Sequence, residues 1–240
     1  MNPIKHLLLR ICGALLHDVS SKVIFYHDVF DGKRYTSMGT HMALFMEHLN
    51  CIREAGFSIV TDITQPSHEV KICFDDGFQG IYACKHLWNG LDWRPTIFLA
   101  VELVGKEGYL DKNQILELAT DGFVFQSHGW SHRVLTDFRE KELEHETVDA
   151  REWLEEMLAH EVSEICFPVG LFSPRVMTAC RNAGYRHMYS SIPGNYHEPV
   201  FPNVLRRNLV QSYNVQELKA VLNGGLRPFA SRYFKRHYLA

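Results

Sequence analysis

Residues 70–78 read Val-Lys-Ile-Cys-Phe-Asp-Asp-Gly-Phe, and this stretch determines how the rest of the chain is interpreted. The apolar run that ends at Phe74 is typical of a short buried strand. Two adjacent carboxylates, Asp75 and Asp76, follow it, and Gly77 then permits a sharp turn. Because carboxylates at the end of a buried strand are costly to desolvate, they indicate a compensating metal ion, arginine or set of backbone donors. The alternative is a solvated Asp-Asp-Gly turn.

A second strand end, further along the chain, carries two histidines. Residues 122–126 are typical of a buried strand, and His128 and His132 follow at a spacing of four. One helical turn would place both imidazoles on the same side. One carboxylate with two imidazoles suits zinc and leaves coordination positions open, as catalysis requires. The pair alone is weak evidence in a chain with 14 histidines, but together with the Asp-Asp strand end it predicts a metal site.

The two motifs together, Phe-Asp-Asp-Gly and Ser-His-Gly-Trp-Ser-His, resemble those of the polysaccharide deacetylase family. This is the NodB-homology domain of carbohydrate esterase family four, and the resemblance covers residues 23–210. It implies that Asp75 is the general base and that Asp76, His128 and His132 bind one divalent metal. Zinc is the expected ion, although cobalt, nickel and iron suit the same ligands.

Predicted strands and helices alternate along the chain, which indicates an α/β fold with a mostly parallel sheet in a single domain, residues 1–240. The suspected site residues follow strand ends, where barrel and open-sheet enzymes both place their sites. Periodicity does not separate these two architectures. The resemblance implies a distorted, incomplete (β/α) barrel, counted as about seven strands.

A third motif, Cys166-Phe-Pro-Val-Gly170, resembles the family segment that supplies a backbone N–H to the oxyanion. The resemblance implies that Val169 is this donor and that Pro168 contributes to substrate binding. The family has arginine at the first position of this motif, and Cys166 cannot orient Asp75 in that way.

Residues 205–208, Leu-Arg-Arg-Asn, resemble the Leu-Pro-Arg-Ile strand of related family members. The resemblance implies that Arg207, on a last strand over residues 204–210, orients the general base in place of the missing arginine. Arg206 is the alternative, because alternation along a strand would point the two side chains to opposite faces.

The proton donor and the sugar-binding residues are less clearly marked. Many members carry a late Leu-x-His histidine; His187 and His197 are late enough but have unmatched contexts, so the catalytic acid stays open. His27 ends the first strand in a Tyr-His pair, as in the subgroup that the chain resembles, and is either a pocket residue or a loop histidine. Aromatic rings can stack on sugars or belong to the core. The candidates are Trp130, Phe172 and Tyr196.

Composition and the chain termini set further limits. The chain is 46% hydrophobic and its net charge of −3 gives no reason to expect nucleic acid binding. Six cysteines without a Cys-x-x-Cys pair favour a reducing, cytoplasmic location.

Residues 1–20 contain a basic amphipathic helix over residues 3–16 that either docks on the body or contacts a membrane surface. Residues 225–240 form a basic-aromatic tail, either a solvated helix or a contact for an anionic membrane or a lipid-linked phosphate.

One long helix carries most of the acidic residues. It is predicted to run from residue 136 or 137 to residue 158, and its glutamates, Glu146 among them, are expected to form a solvated face.

The function that these features predict is metal-dependent removal of N-acetyl groups from a sugar, either in a polysaccharide or in a glycolipid precursor. Metal-assisted hydrolysis of an ester or phosphoester would use the same ligands. A non-catalytic carbohydrate-binding relative is the alternative outside enzymes. The sequence leaves the particular sugar and the oligomeric state open.

Overall fold

The computed structural model describes residues 3–239, with side chains from residue 6 onward. The predictions that involve residues 1, 2 and 240 and the Lys5 side chain therefore lie outside the described part. The helices of this part are α1 Pro3–Leu16, α2 Met42–Glu54, α3 Gly80–Ala83, α4 Lys112–Thr120, α5 Glu140–Glu144, α6 Ala150–Leu158, α7 Pro174–Asn182, α8 Val215–Leu222 and α9 Ala230–His237. The strands are β1 Lys22–Tyr26, β2 Asp28–Phe30, β3 Gly39–His41, β4 Ser58–Val60, β5 Glu69–Asp76, β6 Thr96–Leu99, β7 Val124–Ser127, β8 Glu164–Cys166, β9 His187–Tyr189, β10 Val204–Leu205 and β11 Asn208–Leu209.

The main sheet is parallel throughout the described residues and has the strand order β10-β9-β8-β7-β6-β5-β1-β11, with β4 paired to β5. Helices follow the strands and cover the outer face. The two ends of this path, β10 and β11, are neighbours in sequence, so the sheet curls into a distorted, incomplete barrel. This confirms the predicted fold.

The prediction of a single last strand over residues 204–210 is wrong. The segment is divided: β10 pairs with β9, and β11 pairs with β1. Arg206 and Arg207 lie between the two pieces, at the seam of the barrel. When the two pieces are counted as one closing strand, the path has the seven positions that the family resemblance implies.

Side chains alternate between the two faces of the barrel wall. The outward residues of the strands join the main core beneath the helices, whereas the inward residues form a separate small cluster. An ion pair lies at each end of this interior cluster. Lys71 and Glu164 pair at the amino ends of the strands, and Asp75 pairs with Arg207 at the carboxyl ends.

Helix α1 packs along α8 and leaves one apolar face in solvent. Leu9 is buried, and the absence of a side chain at Gly13 permits close approach, because a Cβ there would lie 2.5 Å from Ala220. Leu7 and Leu15, on the outer face, are 60% and 76% exposed. Among residues 3–239, no helix combines the length and the apolar character that a bilayer-crossing segment needs.

Candidate active site

Three side chains converge at the carboxyl ends of β5 and β7. The Nε2 atoms of His132 and His128 lie 2.9 and 3.3 Å from Asp76 Oδ1. One donor atom from each of the three residues lies within 4.8 Å of the other two. Asp76 and His128 are buried, whereas the His132 side chain is about one-third exposed, at 32%. The predicted ligands are therefore assembled in one place that is open on one side.

The backbone of β5 changes conformation where it ends, and this change places both aspartates in the same site. Neighbouring residues of a regular strand point to opposite faces. Asp76 instead has φ of 72°, in the left-handed region, and Gly77 follows with φ of 78°. This φ favours glycine, and a Cβ at residue 77 would also lie 2.5 Å from Leu99 Cδ2 and displace that side chain.

The two histidines converge through a loop, and the expected helical turn is absent from residues 128–132. His128 Nδ1 lies 2.8 Å from the carbonyl oxygen of Cys166, to which it donates a hydrogen bond. This bond leaves His128 Nε2 as the ligand atom facing Asp76. His132 has φ of 62°, a left-handed conformation that turns its ring back towards the strand end.

Glu146 fixes this loop, and the prediction that it belongs to a solvated face is wrong. Its side chain is buried, at 2% exposure, and Oε2 accepts hydrogen bonds from the backbone N–H groups of Trp130 and Ser131, both at 3.0 Å. The other oxygen, Oε1, accepts the Ser131 hydroxyl at 2.5 Å. Glu146 lies in a π-helical turn, His145–Asp149, which separates α5 from α6 within the predicted long helix. This wider turn is a feature often found near functional sites.

The donor atoms of Asp76, His128 and His132 fit a metal ion. Asp76 Oδ1 is buried and, within residues 3–239, receives no hydrogen bond, although two imidazole nitrogens adjoin it. Burial alone would raise the pKa of Asp76, but the imidazoles hold it below its usual range, so the carboxylate is ionised. An ionised oxygen and two imidazole nitrogens form a donor set that suits zinc and leaves open positions.

A second group of possible ligands, Asp75, His128 and Cys166, is less suitable for a metal. A thiol must lose its proton to coordinate a metal. Burial raises the pKa of Cys166 well above its usual value. Asp75 is moreover already engaged by Arg207.

Asp75 lies beside the metal-binding group and pairs with Arg207. Arg207 Nη1 donates to Oδ1 at 2.7 Å and Nη2 donates to Oδ2 at 2.9 Å. Both residues are buried, and Cys166 Sγ lies 2.7 Å from Nη2. Burial would raise the pKa of Asp75, but the Arg207 charge and hydrogen bonds hold it below the usual range. Arg206 points elsewhere, towards the carbonyl oxygens of Glu198 and Pro193.

These groups line a cavity of about 420 Å³. Asp75, Asp76, His128 and His132 contribute to it, as do Val169 and His27 from the sequence-predicted set. The remaining lining residues are Phe25, Met38, Phe167, Gly170, Ser191, Leu209, Tyr233, Arg236 and His237.

Three predicted substrate-binding residues do not line this cavity. Phe172 is fully buried and stacks on Phe167, with ring centroids 5.0 Å apart, so its ring cannot serve as a sugar platform. Pro168 is buried beneath the Val169 turn. Trp130 packs against His145, with ring centroids 4.4 Å apart, and lines a different cavity. All three residues lie outside the strands and the α-helices, in segments where side chains do not alternate regularly between two faces as they do in a strand. The sequence therefore could not indicate which way these side chains point.

The late histidines and Tyr196 lie at the opposite end of the barrel. His187 pairs with Glu164 at the start of β9 and β8, and His197 Nε2 lies 3.2 Å from the carbonyl oxygen of Gln65. The Tyr196 N–H donates to the carbonyl oxygen of Ser21, just before β1. None of these side chains is placed to reach the Asp75 cavity.

The C-terminal tail supplies site residues that sequence reasoning did not identify. Tyr233, Arg236 and His237 of α9 line the cavity. Backbone hydrogen bonds hold this segment against the third motif: the Phe172 N–H donates to the His237 carbonyl at 3.0 Å, and the Leu239 N–H donates to the Phe172 carbonyl at 2.9 Å. The basic-aromatic pattern of the tail was visible in the sequence, but it did not indicate which element the tail contacts.

The chain is similar in sequence to polysaccharide deacetylases. The family model described as polysaccharide deacetylase matches residues 62–188. YxkH of Bacillus subtilis (strain 168), whose name assigns it to the polysaccharide deacetylases, is 24% identical over 183 residues. The match covers 72% of this chain and 64% of the relative, so the chain spans less than two thirds of that protein.

Solved structures show the same fold. A polysaccharide deacetylase from Bacillus cereus superposes with a TM-score of 0.73 at 21% identity, covering 85% of this chain and 69% of that one. IcaB from Ammonifex degensii gives a TM-score of 0.74 at 20% identity, with 86% and 98% covered. At these identities the likeness concerns the fold.

Proposed function

The chain belongs to the polysaccharide deacetylase family, and on that premise we propose that it is a metal-dependent N-deacetylase. Its substrate would be an N-acetylated sugar in a polysaccharide or in a glycolipid precursor. The observation that carries the proposal is the convergence of Asp76, His128 and His132 beside the Asp75–Arg207 pair in one open cavity. This arrangement separates a group of metal ligands from a second carboxylate, Asp75, which Arg207 orients.

Asp76, His128 and His132 would hold the metal ion. When bound, a divalent ion polarises a carbonyl group and lowers the pKa of water towards ~7. Asp75 accepts the proton of the attacking water, because it lies next to the ligands, is ionised, and is held in one orientation by Arg207. Val169 lies on the same cavity wall, and its backbone N–H is our candidate donor to the oxyanion.

The leaving amine requires a proton, and we assign His27 to donate it. His27 lines the cavity, and its positive form would lie close enough to lower the pKa of Asp75. Its Nδ1 is hydrogen-bonded to the Gln211 side chain, which leaves Nε2 to exchange the proton.

His237 is the competing proton donor. It also lines the cavity, and its Nδ1 donates to the Tyr233 carbonyl at 2.8 Å, so its Nε2 is likewise available. Substitution of each histidine by glutamine separates the two. We expect His27→Gln to lower kcat by about 100-fold or more, the scale of general acid catalysis, and His237→Gln to have a smaller effect. The reverse order would assign the role to His237.

The proposal is tested by acetate release from N-acetylglucosamine oligomers with purified protein loaded with zinc or cobalt. The same protein is assayed on an acetyl ester and a phosphoester. Acetate release from the amide together with inactivity on the phosphoester supports the proposal. Hydrolysis of the ester or phosphoester alone favours the other hydrolase class, and sugar binding without acetate release favours a carbohydrate-binding relative.

Two variants connect this activity to the residues. Asp75→Asn is expected to lower turnover by about 100-fold or more while elemental analysis still finds the ion. His132→Ala is expected to lose the ion. Loss of the ion in Asp75→Asn would instead show that the roles of the two aspartates are reversed or shared.

A further inference from the structure

Arg236 is a cation in the cavity wall that the proposed reaction does not use. It lies on α9 and lines the same cavity as Asp75 and the metal-binding group. Across residues 3–239, no ion pair or side-chain hydrogen bond engages its guanidinium. A solvent-exposed arginine is ordinary at a protein surface, but one that lines an active-site cavity without a countercharge is available for a ligand.

The charges of the cavity leave Arg236 uncompensated. The carboxylates among the lining residues are Asp75 and Asp76. Arg207 neutralises Asp75 from beneath, and Asp76 is committed to the metal-binding group. Residues 226–239 contain no aspartate or glutamate, so the sequence supplies no acidic neighbour to Arg236 along the tail. The field at the cavity mouth therefore favours an anion.

The helix that carries Arg236 is fixed relative to the cavity. The backbone bonds between Phe172 and the end of α9 hold the helix on one side. The rings of Tyr233 and His237 are parallel to within 7°, with centroids 5.9 Å apart, and both line the cavity. Since its helix is already ordered, Arg236 would bind a ligand without first ordering a loop.

We propose that Arg236 binds an anionic group, a phosphate or a carboxylate, on the N-acetylated sugar that enters this cavity. The inference rests on the proposed deacetylase function and deepens it, because it selects charged sugars as the substrate class. A planar guanidinium offers paired N–H donors that match both kinds of anion. Lys235 is the neighbouring cation on α9 and does not line the cavity, so it provides a matched control.

The test is equilibrium binding by calorimetry to the zinc-loaded protein, residues 1–240. The ligands are N-acetylglucosamine, N-acetylglucosamine 1-phosphate and N-acetylmuramic acid, with inorganic phosphate as a control for direct binding to zinc. We expect at least one anionic sugar to bind about tenfold more tightly than the neutral sugar, the scale of one charge-assisted hydrogen bond. Arg236→Ala should remove this preference, Arg236→Lys should keep part of it, and Lys235→Ala should leave it unchanged.

Three results would overturn the inference: equal affinity for neutral and anionic sugars, a preference that persists in Arg236→Ala, or equal losses in Arg236→Ala and Lys235→Ala. The two anionic sugars distinguish a phosphate from a carboxylate. Acetate release measured in parallel separates the inference from the proposed function. An Arg236-dependent preference without acetate release would leave the anion site standing and remove the deacetylase assignment, whereas acetate release without the preference would do the opposite.

Discussion

Arg207, at the seam between β10 and β11, donates two parallel hydrogen bonds to Asp75, near the end of β5 inside the barrel. The guanidinium also lies over the Phe25 ring, 4.0 Å from its centroid. A buried arginine requires both a countercharge and close packing, and this one has each. The orientation of the proposed base is therefore set by a residue at the seam of the barrel.

Substitution of Arg207 should affect stability and turnover in different ways. Arg207→Met leaves the Asp75 carboxylate buried without its partner, which is expected to lower the free energy of unfolding by about 3–5 kcal/mol. Arg207→Lys keeps the charge but cannot form the paired hydrogen bonds, so it should fold better and still lose most acetate release. Denaturant unfolding and kinetic assays measure the two effects. Arg206→Met, which loses only hydrogen bonds near the surface, is the control, with an expected cost of about 1 kcal/mol.

The ion pair at the opposite end of the barrel interior should make the free energy of unfolding depend on pH in the acid range. Glu164 pairs with Lys71 at 3.2 Å; burial would raise the pKa of Glu164, but the lysine charge lowers it to about 2. A carboxyl group with a lowered folded-state pKa stabilises the protein above its unfolded-state pKa, near 4.5, and this contribution disappears as the pH falls towards 2. Glu164→Gln should remove up to about 3 kcal/mol of this pH-dependent stability.

Denaturant unfolding between pH 2.5 and 7 tests this linkage. The difference in unfolding free energy between wild type and Glu164→Gln should be largest at neutral pH and shrink below pH 4.5. Glu144→Gln, a surface change on α5, should leave the curve unaltered. A difference that is constant with pH would show that Glu164 contributes packing and hydrogen bonding but no ion pair.

Glu146 is expected to control metal affinity without touching the metal. It accepts hydrogen bonds from the backbone of the loop that carries both histidine ligands. Groups that orient metal ligands typically change affinity by about 10–100-fold when they are substituted. Glu146→Gln replaces one acceptor oxygen by a donor and should weaken zinc binding by this amount in competition with a chelator, whereas Glu144→Gln should not. A loss of thermal stability with unchanged zinc affinity would restrict Glu146 to a structural role.

The strand-end motifs predicted which side chains converge, because parallel strands place their carboxyl ends at one edge of the sheet. That rule placed Asp75, Asp76 and the histidine pair near one another, whereas the choice of Arg207 rests on the resemblance of residues 205–208 to a strand of the family. The same rule says nothing about loops. Trp130 and Phe172 were therefore assigned to the cavity although the structure places them elsewhere.

Long-range contacts are the other part that the sequence could not reveal. Glu146 follows a run of glutamates whose pattern favours a solvated face, and only the neighbouring loop supplies the donors that justify its burial. Arg236 and His237 lie at the far end of the chain, in a pattern equally suited to a free helix. Their position depends on the backbone pairing with Phe172, which has no signature in either segment.

Of the two alternatives for the N-terminal helix, the structure shows docking on the body, whereas contact with a membrane surface stays a prediction, as does the cytoplasmic location. The outer face of α1 allows the membrane contact to be tested. Leu7, Ile11 and Leu15 recur every four residues and are all exposed, and residues 1–17 contain arginine and lysine but no acidic residue. Such a face suits an anionic bilayer surface.

We expect the protein to sediment with phosphatidylglycerol vesicles, less with phosphatidylcholine vesicles, and less in high salt. Leu7→Gln with Leu15→Gln should abolish binding, whereas Leu116→Gln, an exposed leucine on α4, should not. Analytical ultracentrifugation of the same variants measures the oligomeric state. If the wild type forms a dimer and does not bind vesicles, and if the double substitution dissociates that dimer, the exposed face of α1 contacts a second copy of the chain.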